Sequence, residues 1–489
     1  AGADGHLSVV YTQSGGETAE LTLLDFLDGG AGSGEKITPP RKIATGDTTQ
    51  EQWSSDGKTL FYLSTTGAIN AAPATGEPKS VPYRARLSYS RSAMQATVFQ
   101  EAWETLRDEF YDPKFHGANW NTLREKYAPM AAAASDPQDF YQVIDLLMGH
   151  LNSSHIGITP AQPFYSAVNG ATLPTGALGV VWDETYSGDG LKIGRVIKDT
   201  PASQAISKLN AGEIVTAING VRITGDTDPD VLLADTVGER VYLDVTGTDA
   251  KTREVIIEPV SYGAVRTLLY EEWVDNNRRR VAEMSVGKLA YLHIQGMNKL
   301  SQDRFEQGLY AEAHGKNALL IDVRDNGGGS TADYLLTMLS IPRHAYTIGR
   351  DGEPGYPQDR LPLYSWYKPA GLLINQNSYS NAEIFAHAFR AINRGDVFGV
   401  PTFGAVISTG ARRLLDGSTI RTPGRGWYTV KSGVNEEHTG AEPTMPIALS
   451  PADELAGTDP QLSEAVKTML KASKPAVLPA AKPARYAEY

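Results

Sequence analysis

The sequence predicts a multidomain protein that combines α+β and α/β architecture. Short alternating strands separated by glycine-rich turns occupy residues 1–85, and helical periodicity replaces them over residues 86–172. Short strands return over residues 173–260, whereas strands and helices alternate over residues 261–471, as in an α/β layer with mainly parallel strands. Residues 472–489, rich in alanine, proline and lysine, are expected to form a flexible tail.

Length and composition indicate an ordinary globular protein and disfavour nucleic acid or a membrane as its main partner. The 489 residues are 41% hydrophobic and 21% charged, and the net charge of −12 lacks the basic surface that nucleic acids or anionic membranes require. No apolar run reaches the ~18 residues that span a bilayer. The absence of cysteine excludes disulfides, thiolate nucleophiles and zinc–thiolate sites, and we expect no metal or other cofactor.

The N-terminal region contains a turn-and-strand pattern that suggests propeller blades. The segment Trp53–Leu63 places an Asp56-Gly57 turn before an apolar strand and resembles the repeated blade motif of TolB-type β-propellers. About two such units fit, whereas a propeller needs at least ~four, so we expect a partial propeller or, alternatively, an unrelated β-meander. We also expect that sequence preceded residue 1 and that the chain is exported, to the periplasm or beyond, with the cytoplasm as the alternative.

The strand-rich region 173–260 resembles a PDZ domain. The resemblance rests on Ala177-Leu-Gly-Val180, Pro201-Ala-Ser203 and Gly212–Gly220, the last of which ends in an Asn219-Gly220 hairpin signal. Such domains add an extended C-terminal peptide to a sheet edge and hold its carboxylate with backbone amides. The resemblance therefore implies a site for the C-termini of substrates.

A triple glycine, Gly327-Gly328-Gly329, ends the buried strand within Ala318–Ser330 and precedes a helix. Such a turn presents backbone N–H groups beside a helix N-terminus, which suits an anion or a reaction oxyanion. It is neither a P-loop, since no Gly-Lys-Ser/Thr follows, nor a dinucleotide-binding fingerprint. A purely structural strand–helix turn is the alternative.

Ser380 follows the predicted strand Gly371–Asn375 and begins an amphipathic helix. Taken alone, a serine in this position is often a helix N-cap. The functional interpretation is a nucleophile at the helix terminus, and Ser378 is a second serine that could exchange roles with it. The Gly-x-Ser-x-Gly elbow of α/β-hydrolases occurs nowhere in the chain.

His155 is the candidate general base. It lies in Leu147–Gly157, between a predicted helix end and a strand start, directly after Ser153 and Ser154. A serine nucleophile needs a base with a pKa near ~6.5, which histidine supplies without perturbation. A structural histidine is the alternative.

Together the three segments resemble the signature segments of tricorn core proteases, within the superfamily of tail-specific, C-terminal processing serine peptidases. The resemblance is carried by Ser154-His155, by Asp322-x-Arg324-x-Asn326-Gly-Gly-Gly329, and by Asn375-x-x-x-x-Ser380-x-x-Glu383-Ile-Phe385. It covers roughly residues 86–470 in the family order. It implies a crotonase- or ClpP-like α/β sandwich core, peptide or unfolded-protein substrates, and assembly into homo-oligomers.

The resemblance also implies a Ser/His/Ser/Glu tetrad. In it Ser380 attacks the peptide carbonyl and His155 takes its proton, while Ser154 bonds the far imidazole nitrogen and is polarised by a glutamate. The segment Glu437-His-Thr-Gly-Ala-Glu-Pro443 indicates Glu437 as that glutamate, with Glu436 one residue away as the alternative.

The remaining roles implied by the resemblance concern the oxyanion and the substrate side chain. The oxyanion hole would combine the N–H groups of Asn381 and Gly328, with Gly329 as the alternative to Gly328. In tricorn relatives an acidic residue ahead of the nucleophile favours basic P1 residues, and Asp351 is the candidate here.

Two other functions compete with a peptidase. One is a catalytically idle peptide-binding or scaffold protein that keeps only the PDZ domain. The other is an esterase or amidase, which the missing elbow motif and the PDZ-like region disfavour.

Overall fold

The structure, a computed structural model, divides into two compact units, Ala1–Ser90 and Arg91–Tyr489. It describes residues 7–14, 19–27, 36–37, 41–45, 48–64, 67–73, 77–83, 88–161, 174–342, 344 and 364–473. Most of the predicted tail therefore lies outside the described residues. Among the described helices, none is both long and apolar enough to cross a membrane.

The described residues of the first unit form two antiparallel sheets. One contains the strands Leu7–Ser14, Ala19–Leu27, Lys36–Ile37 and Arg41–Thr45, and the other contains Thr48–Trp53, Thr59–Ser64, Ile69–Pro73 and Lys79–Ser80. In the second sheet the predicted turn forms with Gly57 at a φ of 69°, and Ser54 Oγ donates to Asp56 Oδ1 at 2.6 Å. Alternate residues Leu60 and Tyr62 are buried, as expected for strands with one face on a core.

The second unit begins with three helices, Arg91–Glu109, Trp120–Ala133 and Pro137–Gly149. Their apolar stripes form one core, in which Trp103 and Trp120 each donate an indole N–H to the other's carbonyl, at 2.9 and 3.1 Å. Leu414 and Ile420 from much later in the chain pack into the same core. The helices are therefore joined to the C-terminal part of the unit.

An antiparallel sheet follows the helices. It contains Val180–Trp182, Leu191–Val196, Ile214–Ile218, Val221–Arg222, Val241–Thr246 and Thr252–Ile257. The predicted hairpin forms at Asn219 and Gly220, whose φ angles of 49° and 77° are those of a type I′ turn. The short strand Gly176–Ala177 pairs instead with Val260–Ser261.

The C-terminal part is built on a parallel sheet of five strands. In spatial order they are Leu289–His293, Ala318–Asp322, Ala370–Ile374, Val397–Gly399 and Met445–Pro446. The helices of this part are Tyr262–Met284, Lys299–Ala311, Ala332–Ser340, Asn381–Ala391, Pro451–Leu455 and Pro460–Ala472, with the short helix Pro229–Leu232 in the preceding sheet region. All residues of the second and third strands are buried, and all except Asp322 are apolar, because both sheet faces are covered. The predicted mixed α+β and α/β multidomain architecture is confirmed.

A three-stranded antiparallel sheet brings the helical part to the parallel sheet. The hairpin Ile407–Arg413 and Thr419–Gly426 pairs with the short strand Gly157–Thr159, which comes directly after the third helix. Ile420 lies opposite Ile158, and Arg421 lies opposite Gly157. This pairing holds the segment that carries His155 beside a hairpin that lies hundreds of residues later in the sequence.

Candidate active site

The second and third strands of the parallel sheet end in two turns, residues 325–329 and 375–380, that are tied together. Asn375 Nδ2 donates to Asp325 Oδ1 at 3.0 Å, and Asn375 Oδ1 accepts the Asp325 N–H at 3.0 Å. The contacts hold the glycine turn beside the serine turn at the edge where α/β sheets place their sites.

Ser380 begins its helix from a strained backbone conformation. Its φ of 56° and ψ of −117° lie outside the regions that residues other than glycine normally occupy, whereas an ordinary N-cap has extended angles. Strain of this kind persists only where the surroundings enforce it, and it is common at functional sites. The Ser380 hydroxyl Oγ lies 2.8 Å from His155 Nε2.

The carboxylate of Glu383 is the buried support of this turn. It is 1% exposed, and each of its oxygens accepts two hydrogen bonds. Oε1 accepts the N–H groups of Ser380 and Ala405, both at 2.9 Å, and Oε2 accepts Thr402 Oγ1 at 2.6 Å and the Gly404 N–H at 2.5 Å. One carboxylate therefore holds both the strained serine and the loop 402–405.

Ser378, the alternative nucleophile, occupies a structural position. Its side chain is fully buried, and its Oγ donates to the Val323 carbonyl at 2.8 Å and accepts the Asn375 N–H at 3.1 Å. Of the two serines, Ser380 is the one whose hydroxyl faces an imidazole.

His155 links two hydroxyl groups through its two ring nitrogens. Nε2 lies 2.8 Å from Ser380 Oγ, and Nδ1 lies 2.8 Å from Ser154 Oγ. In the tautomer that carries its proton on Nδ1, the ring donates to Ser154 and leaves Nε2 able to accept the Ser380 proton.

The surroundings of His155 favour its neutral form. Burial lowers the pKa of the imidazole below its ordinary value, the positive charge of Arg421 lowers this pKa further, and Glu437 opposes both with a smaller effect. A depressed pKa keeps the ring unprotonated at neutral pH, which is the form that a general base needs.

Glu437 extends the chain of hydrogen bonds beyond Ser154. Its carboxylate is 5% exposed, and Oε1 accepts the Ser154 N–H at 2.6 Å. Oε2 accepts Ser154 Oγ at 3.0 Å and the Val406 N–H at 2.9 Å. Since Ser154 Oγ donates to the glutamate, it accepts from His155 Nδ1.

Glu436, the alternative glutamate, faces a different partner. Its Oε1 lies 3.2 Å from His387 Nε2. Burial and, to a smaller extent, the negative charge of Glu383 raise the pKa of Glu436 to about 7. Of the two adjacent glutamates, Glu437 is the one that contacts Ser154.

Gly328 packs directly behind the candidate nucleophile. Its φ is 87°, and a Cβ there would lie 2.7 Å from Ser380 Cβ and 3.1 Å from the Asn381 nitrogen, so a side chain has no room. The Gly328 N–H donates to Asn326 Oδ1 at 2.9 Å. The Asn381 N–H belongs to the first turn of its helix, where amides have no intrahelical acceptor.

Arg324 anchors the start of the glycine turn in a buried cluster of charges. Its Nη2 lies 2.7 Å from Asp322 Oδ2, and its Nη1 lies 2.9 Å from Asp459 Oδ2. Burial opposes the charge on Asp322, but the guanidinium and its hydrogen bonds outweigh burial and hold the pKa of Asp322 below its ordinary value. Asp459 also caps the helix Pro460–Ala472 by accepting the Leu462 N–H at 2.8 Å.

Replacing Arg324 with leucine is expected to lower the free energy of unfolding by about 3–5 kcal/mol, because Asp322 and Asp459 would lose the cation that compensates their burial. Denaturant unfolding followed by tryptophan fluorescence measures the change. Arg425, which is exposed on the hairpin, provides the control: Arg425→Leu should change stability by less than about 0.5 kcal/mol. Similar losses in the two variants would contradict the role of the cluster.

Sequence reasoning did not identify every residue around the site. Tyr379 stacks on His155, Val406 donates to Glu437, and Arg421 lowers the pKa of His155. No local sequence pattern identifies these three residues. Asp351, the candidate specificity residue, lies outside the described residues. In the described part of the chain, no group of three or more His, Asp or Glu side chains is arranged to hold a metal ion.

Two regions of the chain match models of known peptidase families. Residues 288–447 match the model of peptidase family S41, and residues 93–149 match that of the tricorn protease C1 domain. The chain is 29% identical to tricorn protease homolog 1 of Streptomyces coelicolor, covering 87% of this chain and 41% of that protein. It is 27% identical to a putative tricorn-like protease C-terminal subunit of Sulfurisphaera tokodaii, covering 76% and 43%.

The fold agrees as well. The crystal structure of the tricorn protease superimposes with a TM-score of 0.77 and 22% identity, covering 95% of this chain and 45% of that one. The chain spans less than half the length of these relatives. The predicted resemblance to the tricorn proteases is confirmed: one region of the chain matches peptidase family S41, and another matches the tricorn protease C1 domain.

Proposed function

We propose that this chain is a serine peptidase that hydrolyses peptide bonds in peptides or unfolded proteins. The observation that carries the proposal is the continuous line of hydrogen bonds from Glu437 through Ser154 and His155 to Ser380. It supplies a nucleophile, a neutral base in contact with it, and an orienting group behind the base. The orienting group is a Ser–Glu pair where the familiar triad has an aspartate.

In the proposed reaction Ser380 Oγ bonds to the carbonyl carbon while its proton passes to His155 Nε2. The imidazolium then gives this proton to the leaving amine as the C–N bond breaks, which leaves an acyl ester on Ser380. A water molecule attacks the ester, its proton passes through Nε2 back to Oγ, and the acid product leaves. Glu437 and Ser154 stabilise the imidazolium in both halves of the reaction.

The oxyanion hole belongs to the same proposal. Gly328 and Asn381 lie beside Ser380, and their N–H groups would donate to the developing oxyanion. For this the Gly328 N–H must exchange its Asn326 partner for the oxyanion, and Gly329 remains the alternative donor. Catalytic hydrogen bonds commonly form fully only once substrate is bound.

Substrate capture is proposed to involve the antiparallel sheet Val180–Ile257. Gly179, with a φ of 89°, turns the chain just before the edge strand Val180–Trp182, where amides could receive a substrate carboxylate as in a PDZ domain. Selection of basic P1 residues by Asp351, assembly into a homo-oligomer and export from the cytoplasm are further parts of the proposal. The first two rest on the resemblance to tricorn relatives, and export, with the cytoplasm as the alternative, rests on the sequence alone.

Covalent labelling tests the proposal directly. The native chain is treated with a fluorophosphonate, which phosphonylates activated serines, and the labelled peptide is identified by mass spectrometry. We expect a single adduct on Ser380 and hydrolysis of fluorescein-labelled casein that the reagent abolishes. A native chain that neither reacts nor cleaves casein would favour the idle peptide-binding protein, and hydrolysis of simple esters alone would favour an esterase.

The pH dependence of activity is expected to respond to Arg421. Its positive charge disfavours the imidazolium form of His155, so Arg421→Gln should raise the pKa of His155. A base with a higher pKa becomes protonated at higher pH, and the acidic limb of the kcat/KM profile should therefore move upward. Arg425→Gln on the same hairpin is the control and should leave the limb in place. Movement of the limb to lower pH in Arg421→Gln would contradict the assignment of His155 as base.

A further inference from the structure

The ring of Tyr379 lies flat on the imidazole of His155. The two ring centroids are 4.9 Å apart, the planes differ by 19°, and the Tyr379 hydroxyl is 3.3 Å from His155 Nδ1. Tyr379 directly precedes Ser380, and its N–H donates to the Asn326 carbonyl at 2.9 Å. The stacked ring and the nucleophile are thus presented by one rigid turn.

The hydrogen bonds with Ser154 and Ser380 alone leave the imidazole incompletely fixed. The contacts at Nδ1 and Nε2 set the position of the ring along a line between Ser154 and Ser380, but rotation about that line changes both only slightly. Among the described residues, no carboxylate is hydrogen-bonded to the imidazole of His155, and Glu437 acts through the neutral hydroxyl of Ser154. The stacked ring of Tyr379 opposes this rotation, because a tilted imidazole would collide with it.

A second aromatic residue, Phe403, contacts the Tyr379 ring, although its own side chain is 63% exposed. Phe403 meets the Tyr379 ring edge to face, with centroids 5.0 Å apart and planes at 76°. The Phe403 N–H donates to the Ser378 carbonyl at 3.1 Å, and its loop is bound by the Glu383 carboxylate. The stack is therefore braced by the same buried group that holds Ser380.

We propose that Tyr379 is a positioning residue that keeps the His155 imidazole in the plane required for proton transfer from Ser380. The inference rests on the proposed peptidase function and adds a member to its site. Burial raises the pKa of the Tyr379 phenol, so the ring stays neutral and can place its π face against the imidazolium that forms during the reaction.

The experiment compares Tyr379→Phe, which keeps a ring, with Tyr379→Leu, which removes it. Casein peptides with a quenched fluorophore provide kcat and KM, and a fluorophosphonate provides the rate of Ser380 modification. We expect Tyr379→Phe to keep kcat within about threefold, and Tyr379→Leu to lower kcat and the modification rate at least about tenfold with KM changed less than about twofold. Tyr262→Leu, which removes an exposed tyrosine from the helix Tyr262–Met284, is the matched control and should behave as the native chain.

Three kinetic results would overturn the proposal. Native kcat in Tyr379→Leu would mean that the stack does not position the base. Equal losses in the phenylalanine and leucine variants would assign the effect to the hydroxyl. A raised KM with unchanged kcat would make Tyr379 a substrate contact. Thermal unfolding of each variant separates these results from a loss of structure.

An independent measurement keeps the inference separate from the peptidase proposal. In chains labelled on histidine, the His155 Cε1–H resonance reports the ring current of the stacked tyrosine. We expect its position in Tyr379→Phe to stay near that of the native chain and to move downfield in Tyr379→Leu. If the native chain fails to cleave any peptide, the peptidase proposal fails, and an unmoved resonance in Tyr379→Leu would overturn the stack itself.

Discussion

Replacing Ser380 with alanine is expected to lower kcat for peptide hydrolysis about 10⁵–10⁶-fold, the loss that removal of a serine nucleophile causes in related chemistry. Ser380 Oγ is the hydroxyl within 2.8 Å of His155 Nε2, and its loss leaves the base without a proton to accept from the protein. Hydrolysis of a quenched-fluorescence peptide and labelling by a fluorophosphonate measure the effect together.

Ser378→Ala is the matched control for this variant. It removes a buried hydroxyl that bonds the Val323 carbonyl and the Asn375 amide, and it should lower stability by about 1–3 kcal/mol. Labelling of Ser380 should persist in it. Peptidase activity that survives in Ser380→Ala but disappears in folded Ser378→Ala would reverse the proposed roles.

Replacing Glu437 with glutamine is expected to lower kcat on the order of 10³-fold, somewhat less than loss of the orienting carboxylate of a triad. Three donors from Ser154 and Val406 converge on this carboxylate. A glutamine offers only one oxygen, so at least one donor would face an NH₂ group. Ser154 would then lose one of the two hydrogen bonds through which Glu437 accepts its Oγ and its backbone N–H. The imidazolium of His155 would also lose the negative charge that balances it.

Glu436→Gln supplies the comparison one residue away. With a pKa raised to about 7, Glu436 is already partly protonated at neutral pH, and the glutamine is nearly isosteric with that form. We expect kcat within about threefold of the native value and a pH profile unchanged on its acidic side. If Glu436→Gln lost as much activity as Glu437→Gln, the proposed tetrad would be wrong in its fourth member.

The parts of the fold that could be predicted from sequence are those with a local cause. The buried strands Ala318–Asp322 and Ala370–Ile374 are apolar runs except for the terminal Asp322, and polar turn residues follow each of them. The triple glycine and Ser380 follow those strands directly, so parallel pairing alone brings them to one edge of the sheet. The partial propeller and the PDZ assignment stay predictions.

The parts that escaped prediction depend on contacts between distant segments. The loop 402–406 supplies donors to both Glu383 and Glu437, yet its sequence shows only ordinary loop residues. Tyr379 reads as a spacer until the fold brings His155 against it, more than two hundred residues away in sequence. From sequence, only the motif register distinguished Glu437 from Glu436, since both residues are acidic. Burial does not separate them either, because both are buried in the structure.

The hydrogen bond between Ser154 and Glu437 closes a loop of 283 residues, and that between His155 and Ser380 closes one of 225. Closing loops of this length comes late in folding, because their contacts repay the lost chain entropy only after the intervening structure exists. During synthesis on the ribosome, Ser380 therefore emerges before the glutamate that supports its base. In the proposed peptidase, the base therefore gains its full support only after the chain has been made past residue 437 and these distant segments have come together.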